Sequence, residues 1–449
     1  MTFVGIRGGK HHASVDHLGR IELTNGTPVL DWHVADEKRW HSAADPAEGL
    51  RQSTIAGTPV VETKMRVQGG DVVQRVWAVA DHGGLVVVEF ENDSPASVAV
   101  ALTRGDVITS RPVPNQPIPG IDLPTGSIAL PLAHRTTLRV ALALGDDTGS
   151  VDLGALPSAL QVSRGWLQAV ETASRLVCDD APVATIFDEV NVARSEILVC
   201  GIPNPNDDPL GALIGGVELV RLGENPFIWI DELVPLAERC FANASEHPRF
   251  LLAHAAAGLQ FVLAKAGEPR AVRDVARAWS RVKSDGSSGW SARTPAHVIA
   301  TVEQQLLSVR SDNTGVLLPR GIPEAWHGVN FEAHGLCGPN GARIGFALRW
   351  HGENAAVLWE SSSPDVRLAS GVDATWSNDW SRSESPPPEP TASISGSRWP
   401  TSARLSSPSP PAESVPPSVA MSSTSGASAS SMRSTAADRP SAATRAETA

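Results

Sequence analysis

The spacing of the apolar residues changes twice along this chain, and that change restricts the folds available to it. In residues 1–150 apolar and polar residues alternate, as in Val61–Val67, which is the period of a half-buried strand. Residues 159–310 follow the helical period instead, and residues 314–380 return to alternation. The pattern predicts a multidomain α+β protein that runs from strands to helices and back to strands.

The N-terminal part is predicted to be an antiparallel β-sandwich domain covering residues 1–150. Turn-forming residues cluster at 68–71, 81–84 and 92–95, and they separate short apolar or alternating runs. Short strands divided by turns at regular intervals are typical of two antiparallel sheets packed face to face.

The middle part, residues 159–310, is predicted to be an array of α-helical hairpins. Three pairs, Asp208-Pro209, Asn225-Pro226 and Thr294-Pro295, each place a capping side chain before a proline. Proline suits the first helical position because its missing N–H has no partner there, while the capping oxygen accepts a free backbone donor. Seven helices are predicted, near 159–177, 182–199, 209–222, 227–242, 248–266, 269–283 and 295–309. Short connections make neighbours antiparallel, which favours an arrangement like part of an α/α toroid.

The end of the chain differs in composition from everything before it. Residues 314–380 contain alternating runs and are predicted to be a small C-terminal β segment that packs on the helices. Residues 381–449 are dominated by serine, proline and alanine, and such a segment buries too little apolar surface to offset its ordering entropy. We therefore expect 381–449 to be a disordered tail.

Composition and charge narrow the classes of partner. The net charge is −12 and no basic block is present, so a nucleic-acid partner is not expected. The sequence has no apolar run of about 18 residues and no signal-peptide core, so we expect a cytoplasmic protein without a membrane partner. The oligomeric state stays open.

No cofactor and no metal are predicted. The four cysteines are widely spaced and form no CxxC pair, so we interpret them as small buried apolar residues. His11, His12 and His17 with Asp16 resemble a set of metal ligands, but they lie in a terminus that we expect to be flexible, so no metal role is predicted. His33 and His41 lack the spacing of metal ligands. A GxSxG elbow, a P-loop and a GxGxxG loop are all absent from the sequence.

Two segments of the C-terminal β region carry a resemblance to a known class of protein. Leu318-Pro319, followed by Pro323 and Trp326, is similar to the entry into the terminal β segment of bacterial six-hairpin glycosidase-like proteins. The runs at 347–353 and 356–360 resemble the strands that follow in those proteins. The resemblance implies a β-sandwich, helical hairpins and a β cap, and hydrolysis of carbohydrate by two carboxylates. A closed ring of six hairpins needs twelve helices, so with seven either the array is open or only the β cap is similar. No catalytic residue can be carried over from the resemblance.

The first candidate sugar site lies at the predicted start of the fourth helix. Trp229, Asp231 and Glu232 combine an aromatic face with two acids. Aromatic faces pack on sugar rings, and glycoside cleavage needs two carboxyl groups on opposite sides of the bond. The alternative is that these acids only complement the positive end of the helix dipole.

The second candidate lies on the C-terminal strands, where Trp350, His351 and Glu353 fall together near Gly352. The alternative here is a core tryptophan beside an ordinary turn, with Trp350 buried next to Leu348. Both candidates are predictions of substrate-binding residues, and no catalytic residue is assigned.

Two functions remain open at this stage. One is a carbohydrate-active, glycoside hydrolase-like enzyme that uses a carboxylate pair. The other is a non-catalytic carbohydrate-binding or scaffold protein. The enzyme requires two acids that face one cleft beside a tryptophan wall, whereas the binding protein requires only an exposed aromatic platform.

Overall fold

The N-terminal strands form three antiparallel sheets in the computed structural model. The structure describes residues 1–45, 49–113, 118–145, 150–283 and 294–378, together with the backbone of 396–398. The strands are β1 (Thr2–Gly5), β2 (His12–Val15), β3 (Ile21–Leu23), β4 (Trp32–Ala35), β5 (Trp40–Ser42), β6 (Arg51–Thr54), β7 (Val61–Val67), β8 (Gly70–Val79), β9 (Leu85–Asn92), β10 (Val98–Leu102), β11 (Ile108–Thr109), β12 (Ile128–Leu132) and β13 (Thr137–Ala143). Their sheet orders are β1-β2-β3, β12-β10-β4-β5 and β11-β13-β9-β8-β7-β6.

The three sheets share one hydrophobic core. Trp32 of β4 and Phe90 of β9 lie in it with ring centroids 5.6 Å apart, and Val4 of β1 contributes as well. Strand β7 shows the predicted alternation, because its apolar residues are buried while Glu62, Lys64 and Arg66 lie at least partly in solvent. The period-two pattern therefore identified both the strand and its inward face.

Seven α-helices follow within the described residues, as predicted. They are α1 (Ala159–Val170), α2 (Ala181–Cys200), α3 (Pro209–Arg221), α4 (Pro226–Ala242), α5 (Arg249–Lys265), α6 (Pro269–Arg281) and α7 (Pro295–Leu306). The side chain of Asp208 accepts a hydrogen bond from the backbone of Gly211, and that of Asn225 accepts one from Phe227. The cap predicted at Thr294 is not formed, because the Thr294 hydroxyl lies 2.9 Å from His297 Nδ1 instead.

Two predicted helix ends were wrong for the same reason. Helix α1 stops at Val170 rather than continuing to 177, and Arg175–Val177 form strand β14. Helix α7 stops at Leu306, and Leu307–Val309 form strand β15. In both places the residues after the helix find strand partners in the C-terminal region, and this tertiary pairing overrides the local helical pattern.

The C-terminal strands complete two further sheets. They are β16 (Gly315–Leu317), β17 (Phe331–Cys337), β18 (Arg343–His351), β19 (Asn354–Ser361), β20 (Leu368–Ser370) and β21 (Gly396–Arg398). One sheet has the order β14-β17-β18-β19-β21 and the other β15-β16-β20. Both include a strand that the helical region supplies, so these sheets join the two parts of the chain.

The turn before β18 contacts helix α5 closely. Gly341 has a φ of +75°, and a Cβ at this position would lie 2.6 Å from the carbonyl oxygen of Gln260. The Gln260 side chain also accepts a hydrogen bond from the Asn340 backbone at 2.9 Å. Only glycine permits both this backbone conformation and this approach.

The predicted disordered tail falls almost wholly outside the described residues. The exception is β21, whose backbone pairs in parallel with β19.

We expect a chain that ends at residue 380 to keep the melting temperature of the full chain, because composition gives the tail little apolar surface to bury. A drop of several degrees in a thermal melt would show that the tail, including β21, contributes to stability.

The cysteines follow the prediction only in part. Cys240 and Cys337 are buried, as expected, whereas Cys178 is half-buried and Cys200 is exposed. Cys200 is the last residue of α2, where the helix surface faces His12, and its Sγ lies 3.8 Å from His12 Nε2.

Among the described helices, none has both the length and the apolar character that a membrane crossing requires.

Candidate functional site

A group of four charged side chains is fully buried between helices α2, α3 and α7. Arg194 of α2 contacts Glu218 of α3 at 3.1 Å and Glu303 of α7 at 2.6 Å. Arg221 of α3 pairs with the same two carboxylates, at 2.8 Å from Glu303. Ser174 adds its hydroxyl, which donates to Glu303 at 2.7 Å. We call Arg194, Glu218, Arg221 and Glu303 the buried quartet.

The charges of the buried quartet compensate each other. Burial alone would raise the pKa of Glu303, yet the positive charges of Arg221 and Arg194 outweigh it and hold this pKa well below its ordinary value. Burial would likewise lower the pKa of Arg221, but negative charge around it, including Glu218 and Glu303, raises it well above the ordinary value. The charged forms of Glu303 and Arg221 are therefore favoured, and the formal charges of two arginines and two glutamates sum to zero.

His254 of α5 lies beside the quartet and differs from it. The ring is buried, and its Nε2 has no hydrogen-bond partner among the described residues. Burial lowers the pKa of His254, so the neutral ring is favoured. A neutral histidine beside a balanced quartet adds no unpaired charge to the core.

Glu218, His254 and Glu303 are the one described group with ligand atoms close enough together to hold a metal ion, within 4.8 Å of one another. The arginines argue against that use. Both oxygens of Glu218 and of Glu303 already accept from Arg194 or Arg221. A cation at this position would meet two guanidinium groups, and its repulsion from them opposes binding. The group fits a structural ion network better than a metal centre.

The first sequence candidate lies on the surface at the start of α4. Asp231 and Glu232 are exposed, and Trp229 is half-buried, with its indole N–H donating to Glu224 at 2.7 Å. Next to them, 64% of Phe227 and 68% of Ile228 are exposed to solvent. The structure thus places an aromatic and apolar surface beside the two acids, and Phe227 is a member that the sequence reading missed.

Asp231 and Glu232 do not face each other. Neighbouring residues of a helix point about 100° apart, so the two acids project in different directions. By helical spacing Asp231 falls beside Phe227 and Ile228, and Glu232 falls beside Ile228 and Trp229. The two acids therefore lie on either side of Ile228, one turn further along α4, rather than facing each other across a cleft.

The second sequence candidate is split by a hairpin. Trp350 is half-buried, its backbone N–H binds the Asn330 side chain, and its ring lies 5.4 Å from that of His327. His351 ends β18, and Gly352 and Glu353 form the two-residue turn that leads into β19. Gly352 has a φ of +65°. His351 and Glu353 are exposed. Trp350 is therefore only half-buried, whereas the alternative of a core tryptophan predicts that it is buried next to Leu348.

The sequence reading missed a polar group on the C-terminal sheet. His334 of β17 lies 3.0 Å from Glu332 and 3.1 Å from Glu360 of β19, one carboxylate at each ring nitrogen. Arg349 of β18 pairs with Glu332 as well. The hydrogen bond from His334, followed by that from Arg349, lowers the pKa of Glu332. Alternation within the strands could have placed Glu332 and His334 on one face, but the pairing with β19 could not be read from one sequence.

Comparison with known proteins does not place this chain in a family. No family model matches the chain, and no curated protein sequence matches it. The candidate sites are therefore judged by their geometry alone.

Proposed function

We propose that this protein binds carbohydrate without cleaving it, and that the exposed start of α4 is the binding surface. The observation that carries the proposal is the exposure of Phe227 and Ile228, with Asp231 and Glu232 exposed one turn further along α4. An aromatic face packs on the apolar face of a sugar ring, and carboxylates accept hydrogen bonds from its hydroxyl groups.

The architecture is a second support. We propose that the four- and six-stranded sheets form a β-sandwich and that the seven helices form an open part of a toroid-like array. The C-terminal strands would then correspond to the β cap, as the resemblance to six-hairpin glycosidase-like proteins implies. We also propose a cytoplasmic location, as the sequence predicts.

The positions of the acids favour binding over hydrolysis. A glycosidase holds its two carboxyl groups about 5–10 Å apart on opposite sides of the scissile bond. Asp231 and Glu232 diverge from one helix, and Glu353 stands in an exposed turn. Glu218 and Glu303 lie close together, but each is buried and paired with both arginines. None of these acids has the placement that a catalytic pair needs.

Replacing Phe227 with alanine should weaken carbohydrate binding roughly tenfold or more, because the aromatic face would be lost. Affinity gel electrophoresis in gels that contain starch, xylan or β-glucan measures this as a loss of retardation. Leu160→Ala is a matched control, since Leu160 of α1 is also exposed, at 53%, and its loss should leave retardation unchanged. If none of the three gels retards the wild-type protein, the proposal is wrong.

Substitution of Asp231 and Glu232 tests the alternative that the protein is a hydrolase. If the protein were an enzyme with this pair, Asp231→Asn together with Glu232→Gln would abolish release of reducing sugar and leave folding intact. We expect instead that the wild-type protein releases none, and that the double variant loses affinity in the same gels. Turnover by the wild type that this double variant lacks would establish the enzyme.

A further inference from the structure

A cleft with a different chemistry opens between the start of α5, the end of α6 and the turn that joins β15 to β16. Its volume is about 460 Å³, which falls in the range of small-molecule sites. The residues that characterise it are Arg249, Phe250, Trp279, Arg310, Ser311 and Arg320. Three arginines thus converge on one cavity, and none of the described residues that line it is acidic.

Aromatic rings position two of the three guanidinium groups. The Arg249 guanidinium lies 4.9 Å from the centre of the Trp279 ring, and that of Arg320 lies 4.9 Å from the centre of the Phe250 ring. Arg249 also donates to the carbonyl of Val282 at 3.0 Å, and the Trp279 indole donates to Val309. Such cation–π contacts orient an arginine before any ligand arrives, which reduces the entropy lost on binding.

Among the described residues, no acidic side chain neutralises the positive charge of the cleft. Within the described residues no carboxylate pairs with Arg249, Arg310 or Arg320, although the chain as a whole has a net charge of −12. Helix α5 also begins at this cleft without a side-chain cap, so the positive end of its dipole adds to the same field. Three arginines around one cavity, with no carboxylate partner among the described residues, offer a site for an anion.

We propose that this cleft binds a small organic anion, with Arg310 and Arg320 holding its phosphate or carboxylate group. The planar fork of arginine matches both groups through paired N–H donors. Phe250 and Ala253 give the cleft an apolar wall for the body of the ligand. This site uses no residue of the α4 surface, so it does not rest on the proposed carbohydrate function.

Isothermal titration calorimetry with four probes tests the ligand class. Glucose 6-phosphate and glucuronate carry the two candidate groups on a similar ring, glucose carries neither, and inorganic phosphate has no ring. We expect one or both charged sugars to bind more tightly than glucose and phosphate, and whichever binds better identifies the group. Binding of neither charged sugar would overturn the proposal, and so would equal binding of glucose or of inorganic phosphate.

The double variant Arg310→Gln with Arg320→Gln tests the residues. Both side chains are exposed, so the fold should tolerate the change, and affinity for the better probe should fall roughly tenfold or more for each lost guanidinium. Arg164→Gln with Arg270→Gln removes the same charge from exposed helix positions outside the cleft and should leave affinity unchanged. Equal losses in both double variants would mean that only net charge matters, and the site assignment would fail. Phe227→Ala should retain the anion affinity, which separates this inference from the carbohydrate proposal.

Discussion

Replacing Glu303 with glutamine will lower the free energy of unfolding by about 3–5 kcal/mol, the usual cost of removing one partner from a buried ion pair. Glu303 accepts hydrogen bonds from Arg194, Arg221 and Ser174, and its side chain is 3% exposed. Its neutral replacement would leave two buried guanidinium groups facing the single carboxylate of Glu218. The amide keeps the volume of the side chain, so the loss reports charge rather than a cavity.

Urea unfolding followed by circular dichroism measures this change. Glu238→Gln is the matched control, because it is the same substitution at an exposed position of α4. It should change the free energy of unfolding by less than about 0.5 kcal/mol. A loss below about 1 kcal/mol for Glu303→Gln would mean that the quartet contributes little beyond its packing.

The same network predicts how stability depends on pH. The pKa of Glu303 is lowered in the folded protein, so its stabilisation is complete above the ordinary value of 4.5 and is lost as the pH falls below it. The pKa of His254 is also lowered, so protonation of the unfolded chain begins to reduce stability below its ordinary value of 6.5. Unfolding free energies of the wild type should fall first below pH 6.5 and then more steeply below pH 4.5. In Glu303→Gln the second decline should be smaller.

Local patterns predicted most of the secondary structure. Alternation identified β7, and the caps at Asp208 and Asn225 identified the starts of α3 and α4. These signals depend on neighbours in sequence, which one sequence contains in full. The end of α1 was wrong because β14 pairs with β17, which lies more than 150 residues further along the chain. The end of α7 was wrong because Leu307–Val309 pair with the neighbouring strand β16 instead of continuing the helix.

The buried quartet shows what sequence alone does not reveal about a candidate site. A signal was present, because Glu218 and Arg221 interrupt an otherwise apolar helix three residues apart, and such a helix is buried all round. Buried charges must be paired, so this pair indicated a partner elsewhere. Glu303, 82 residues from Arg221, could not be chosen from among the many acids without the packing of α3 on α7.

Replacing Phe331 with alanine should cost about 3–5 kcal/mol of unfolding free energy, the range for a buried aromatic residue. Phe331 begins β17 and is 1% exposed. Its ring meets those of Phe187, Trp326 and Phe346 edge to face, at centroid distances of 5.9, 5.4 and 5.8 Å. Phe187 belongs to α2, so the substitution removes a contact that joins this helix to the C-terminal sheet.

The test compares two probes during guanidinium unfolding, the helical circular dichroism signal and tryptophan fluorescence. Phe227→Ala is the matched control, because it makes the same substitution at a residue that is 64% exposed, and it should change stability by less than about 0.5 kcal/mol. If the helices and the C-terminal strands pack as one unit, Phe331→Ala will shift the helical transition to lower denaturant as a whole. A helical transition that stays in place while fluorescence alone shifts would show that the β segment unfolds independently of the helices.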